Sequence, residues 1–103
     1  MPKRVLIAPQ AEAQIRAIDA WWRRHRKRSP DLFSREFGEA LSTLEVAPKA
    51  GRRYPHPAIK GLRRIPLRAT RHHVYYLAGK DAVIVLAVWG SMKGAGPNLE
   101  GIE

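Results

Sequence analysis

The sequence predicts an α+β fold of order β-α-α-β-β-β, with a helical hairpin packed on one face of a small, mainly antiparallel four-stranded sheet. Three observations predict it. A short apolar run with β-branched members opens the chain, apolar residues recur at helical spacing from Ala11 to Leu44, and the pattern becomes that of strands after Gly61.

In chain order, Arg4-Val5-Leu6-Ile7-Ala8 reads as a strand closed by Pro9. Ala11, Ile15, Ile18 and Trp22 then mark one stripe of a helix running to about Arg28, whose last turns carry cations suited to the negative end of the helix dipole. Ser29-Pro30-Asp31 has the grammar of a new helix start, with Ser29 as N-cap and Pro30 in the first turn. Phe33, Phe37, Leu41 and Leu44 form the facing stripe, so the short turn implies an antiparallel hairpin. Pro48 and Gly51 stop this helix, and a basic, Pro-rich connection runs from Lys49 to Lys60.

Three strands follow: Gly61–Leu67, His72–Leu77 and Ala82–Trp89, with turns near Ala69-Thr70 and Gly79-Lys80-Asp81. Pro66 cannot donate to a ladder, which places its strand at a sheet edge; the unbroken apolar run from Ala82 to Trp89 belongs inside the sheet with both faces covered. One hairpin covers one face. The other is expected to be bare and to await a partner protein, while residues 91–103 are expected to be a loosely held tail of a single domain spanning 1–103.

Composition narrows the function. Lys and Arg total 19 against 9 Asp and Glu, a net charge of +10 that favours anionic partners. No acidic residue lies between Glu45 and Asp81, a stretch that contains Lys49, Arg52, Arg53, Lys60, Arg63, Arg64, Arg68, Arg71 and Lys80. The absence of cysteine removes disulfides, thiolate metal sites and Cys nucleophiles, and suits a reducing cytoplasm. No apolar run is long enough to span a bilayer and no signal peptide is seen, so the expectation is a soluble chain without a membrane role.

Catalytic constellations are sparse. His25 and His56 have no carboxylate or second His at metal-binding spacing and read as surface residues. His72 and His73 are adjacent on a strand and point to opposite faces, so they form no local pair. His73 with Arg64 or Arg68 is chemically suited to RNA cleavage, the imidazole moving a proton while a guanidinium holds phosphate charge. The serines lack a nucleophile elbow, and Gly94-Ala95-Gly96-Pro97 lacks the helix and Lys-Ser/Thr of a phosphate loop. No metal and no cofactor is expected. Trp22 continues the helical stripe into the core, whereas Trp21, one step off it, is available to a partner.

The element order, the Pro48-x-x-Gly51 stop, the Leu62-Arg63 pair, the strand His72-His73-Val74-Tyr75-Tyr76 and the strand ending Val85-Leu86-Ala87-Val88-Trp89-Gly90 together resemble the ParE/RelE superfamily of bacterial type II toxins. The resemblance covers nearly the whole chain. It implies a toxin neutralised by a cognate acidic antitoxin, usually encoded beside it, whose amphipathic tail wraps the toxin. RelE-like members cut mRNA on the ribosome with basic residues on the sheet, commonly with a Tyr or His near the C-terminal end; ParE-like members poison DNA gyrase. Laid over the RelE pattern, Arg64 stands at one basic position, Pro66 at a second, and His73 where an Arg is usual, and Lys93 is the only cation after Gly90. The resemblance therefore points to the ParE-like branch of plasmid-stabilisation toxins, with gyrase as target and no catalytic set. The alternatives are a ribosome-dependent mRNA endoribonuclease using Arg64, Arg68, His73 and Lys93, and a basic nucleic-acid-binding module. The partner-binding candidates are Trp21, Arg63, Arg64, Arg68 and Arg71.

Overall fold

The computed structural model describes residues 2–91, 96, 97 and 99. The chain runs β1 (Arg4–Ile7), α1 (Pro9–His25), α2 (Leu32–Val46), β2 (Arg52–Arg53), β3 (Leu62–Leu67), β4 (His72–Ala78) and β5 (Ala82–Gly90). The sheet has five strands in the order β1-β5-β4-β3-β2, one more than the sequence predicts. The addition is the two-residue β2, too short to carry an alternating pattern. All neighbours are antiparallel except β1 and β5, which pair in parallel from Arg4↔Ala82 to Ile7↔Val85. Among the described residues, no helix is long and apolar enough to cross a membrane.

Helix boundaries move by a few residues from their expected positions. Pro9 does not merely close β1; it opens α1, where its missing N–H is no loss and its fixed φ suits the first turn. α1 ends at His25 rather than Arg28, its ladder finishing with the Arg26 amide on the Trp22 carbonyl. Pro30 disfavours helical backbone at the residue before it, and Arg26-Lys27-Arg28 adds like-charge repulsion. Ser29 is accordingly a turn residue, its carbonyl accepting from the Leu32 amide, and Asp31 is the N-cap of α2.

The hairpin covers one sheet face. Ala11, Phe33, Phe37, Ala40 and Leu44 pack there against Leu67, Val74, Tyr76, Val83, Val85 and Val88, with Ile15, Ile18 and Trp22 at the margin. A β-bulge organises the opposite face. Tyr75 pairs with Ala87 and Tyr76 with Val85, so Leu86 is the extra residue of β5, and Leu86 and Ala87 both turn to the second face. Beyond the bulge β1 has ended, and the side-chain oxygen of Gln14 from α1 accepts the Val88 amide at 2.8 Å in place of a strand partner.

The second face, expected from the sequence to be bare, is partly covered. Leu62, Tyr75, Leu86 and Ala87 are covered by Leu99, itself 2% exposed, and flanked by Tyr54 and Ile59 from the connection before β3. Leu99 is among the described residues of the segment read as a loosely held tail. The connection is tied down by the Tyr54 amide on the Leu62 carbonyl. A polar, Pro-rich connection carries no periodicity that announces where it will lie. The open part of this face is the end bearing Arg64, Arg68 and His73.

β2 exists because of a tight seat. The Gly51 amide donates to the Tyr76 hydroxyl at 2.8 Å and the Gly51 carbonyl accepts from Arg63 Nη1 at 2.7 Å. A Cβ at Gly51 would stand 2.6 Å from the Tyr76 hydroxyl and 2.7 Å from the Arg64 carbonyl. Burial raises the Tyr76 phenol above its ordinary pKa, opposed by the Gly51 hydrogen bond and the Arg63 charge, so the ring stays neutral in this seat. Gly51→Ala is expected to cost about 1–3 kcal/mol in urea unfolding, as overpacked sites do. Tyr76→Phe, which strands the Gly51 amide, is expected to cost about 1–3 kcal/mol. The two should be less than additive when combined, because the hydroxyl is one of the atoms the new methyl meets.

Candidate functional site

Side chains of β3 alternate between faces, and this sorts its cations. Leu62 and Arg64 project to the second face with Pro66, while Ile65 and Leu67 pack under the hairpin. Arg63 faces the hairpin side and is occupied structurally, its Nη1 donating to the Gly51 carbonyl at 2.7 Å and the Lys49 carbonyl at 3.3 Å. Arg64 instead lies over the Tyr54 ring, 4.8 Å from its centroid, and reaches the Tyr75 hydroxyl at 3.4 Å. Together with Arg52, Arg68 and His73 it lines an open basin of about 430 Å³ floored by Gly51 and Pro66.

The basin brings together Arg64, Arg68 and His73, three of the four candidate ribonuclease residues; Lys93 lies outside the described residues. None of its lining residues is acidic. Its imidazole is uncharged near neutrality: burial first, then the charges of Arg64 and His72, push His73 below its ordinary pKa of 6.5. His72 is on the other face, edge-on to Phe33 with ring centroids 5.5 Å apart, so the two histidines separate as their adjacency requires. Among the described residues no three His, Cys, Asp or Glu side chains are grouped so that they could hold a metal ion.

A second surface lies on the hairpin side. Trp21 is 42% exposed and stacks on His25 at 4.7 Å, with Trp22 edge-on at 5.9 Å and the Arg26 guanidinium 4.8 Å above the Trp21 ring. Trp21, Trp22 and Arg26 wall a groove of about 540 Å³ whose far side is Thr70, Arg71 and Gly90. The turn holding Arg71 is fastened by Glu36 of α2, whose carboxylate accepts from the Ala69 amide, the Thr70 amide and the Thr70 hydroxyl at 2.7, 3.0 and 2.7 Å. Arg71 adopts φ 62°, a conformation costly for a residue with a Cβ.

The five partner-binding candidates thus divide. Trp21 and Arg71 share the groove, Arg64 and Arg68 share the basin, and Arg63 is spent on the Gly51 seat. Sequence reasoning passed over Arg52 and Tyr54 as site members, and Arg26 as the cation stacked on Trp21. A two-residue strand gives no pattern by which Arg52 could be placed opposite Arg64, and only the fold carries Tyr54 back under that guanidinium.

The His73 shift sets a pH dependence. The unfolded chain takes up this proton near the ordinary value of 6.5 and the folded chain only at lower pH. The contribution is fully present above 6.5 and is lost as pH falls from there through the folded value. Urea unfolding below pH 6.5 is expected to show stability declining with acidity, and His73→Gln should flatten that slope in this window.

With the geometry in hand, comparison with known proteins is informative. The family model described as ParE toxin of the type II toxin-antitoxin system parDE matches residues 5–93. No curated protein matches the sequence. Among solved structures, the chain is similar to the chromosomal ParDE TA system from P. aeruginosa, with a TM-score of 0.68 at 13% identity over 85% of this chain and 95% of that one. At that identity the likeness speaks to the fold, a hairpin on a mixed sheet. The sequence match, which runs from within β1 to beyond the end of β5, settles the family: the chain belongs to the ParE toxins of type II toxin–antitoxin systems.

Proposed function

We propose that this toxin inhibits DNA gyrase when free and is held inactive by an acidic antitoxin seated in the Trp21 groove. The observation that carries the antitoxin part is the groove itself. It offers an exposed aromatic anchor at Trp21 beside Ile18 and Trp22, and cations at both lips in Arg26 and Arg71. That combination suits an amphipathic acidic segment, which places an apolar side chain against the tryptophan and carboxylates against the guanidinium groups. The gyrase part is supported by family membership. It is also supported by the basin, where Pro66 occupies a position at which the RelE pattern calls for a cation.

A second reading, ribosome-dependent mRNA cleavage, is favoured by one observation. His73 is uncharged near neutrality, as a general base must be, and lies in the same basin as Arg64 and Arg68. Its action would be to take the ribose 2′-hydroxyl proton while the guanidinium groups hold the phosphate.

Induced expression separates the two. Gyrase inhibition is expected to give filamentation, an SOS response and, with purified components, loss of supercoiling; cut transcripts with intact supercoiling would overturn the proposal in favour of cleavage. For the groove, Trp21→Ala is expected to weaken binding of the adjacently encoded antitoxin by about 30-fold, the scale of an aromatic hot spot, with supercoiling inhibition retained. Arg71→Gly removes a lip cation while relieving the positive φ, so it should weaken binding without lowering stability. Unchanged antitoxin affinity in both variants would remove the groove from the interface.

A further inference from the structure

Among the described residues, the basin gathers cations without an acidic residue in its lining. In the β2–β3 ladder Arg52 stands directly opposite Arg64, and Arg53 directly opposite Arg63. Like charges facing one another across a ladder are destabilising. Of these four, Arg63 is drawn away to backbone carbonyls, but Arg52 and Arg64 both line the basin, with Arg68 at its edge.

Among the described residues no carboxylate lines the basin, although Glu36 and Glu39 of α2 share a separate cleft with Arg68. Glu12, Asp19 and Asp31 pair with Arg16, Arg23 and Arg35 on their own helices, and Glu36 is committed to the Ala69-Thr70 turn. Arg64 is meanwhile held in place by the Tyr54 ring and the Tyr75 hydroxyl, a cost in side-chain freedom already met before any ligand arrives.

We infer that the Arg52–Arg64–Arg68 basin is a binding site for the phosphodiester backbone of a nucleic-acid strand. The residue types decide between this and an acidic protein segment. Guanidinium groups form paired hydrogen bonds to phosphate oxygens, and three of them converge here. A docking peptide needs apolar anchors, and the apolar surface in this basin is limited to Ala50, Gly51 and Pro66, whereas such anchors are supplied by the separate Trp21 groove. The contact is with the backbone, made by guanidinium groups to phosphate oxygens that every sequence presents.

The site stands apart from the choice of enzyme target, and its test contains no gyrase, so failure here and failure of the gyrase reading are separately visible. A short fluorescent oligothymidylate is titrated with the full chain at several salt concentrations. Arg64→Gln and Arg68→Gln are each expected to weaken binding about tenfold and to lower the salt slope by about one. Arg24→Gln, an equal loss of charge on exposed α1, should change affinity by less than about twofold because a distant surface charge is screened. Arg68→Gln guards against a folding artefact, Arg68 being exposed where Arg64 is packed on two rings. His73 ring resonances should shift on addition of the oligonucleotide, because an arriving phosphate changes the charge that the imidazole senses. Three results overturn the inference: no binding, equal weakening by Arg24→Gln, or displacement of the oligonucleotide by polyglutamate at matched charge with the same His73 shift, which would assign the basin to an acidic protein.

Discussion

The structure of the functional end depends on the seat of Gly51. Its amide is taken by the Tyr76 hydroxyl, its carbonyl by Arg63, and the space where a side chain would go is filled by the same hydroxyl and by the Arg64 backbone. Backbone held this close to β3 has to continue as a strand, and Arg52 is thereby delivered opposite Arg64. The seat also sets which cations are available. It consumes Arg63 as a structural donor and leaves Arg64 to the other face, where Tyr54 and Tyr75 hold it.

Packing and electrostatics divide the molecule along the plane of the sheet. On the hairpin side, Glu12, Asp19 and Asp31 have i,i+4 partners, Glu36 holds the Thr70 turn, and Trp21 is an exposed aromatic. On the second side, apolar cover by Leu99, Tyr54 and Ile59 reaches as far as Arg64, which lies over the Tyr54 ring, and the basin beside it is cationic. The β5 bulge underlies this division, since it lets Leu86 and Ala87 both supply the second cluster while Val83, Val85 and Val88 serve the first. A toxin in this family must be both restrained and active, and two chemically different surfaces on opposite faces suit two different partners.

How much of the site was legible can be seen residue by residue. The opposite orientations of His72 and His73 follow from strand pleat alone and are found as expected. The exposure of Trp21 follows from its offset from the Ile15–Ile18–Trp22 stripe, and the stripe residues do pack against the core. Arg63 could not be told from Arg64 in role, because its engagement depends on a carbonyl twelve residues away. Arg52 was invisible as a site residue for the same reason: pairing in a two-residue strand is set by the Gly51 contact and leaves no periodic trace.

Local pattern determined the element order, both helical stripes, the three long strands and the excess of positive charge, because each is written in spacing over a few residues or in simple counts. Tertiary structure alone decided that the second face would be half covered by Leu99, Tyr54 and Ile59, that β5 would bulge at Leu86, and that the cations would be shared between a scaffold contact, a basin and a groove. These outcomes depend on contacts between residues far apart in the chain, whose energies are set by which groups arrive at the same place, and no local window of the sequence contains both partners.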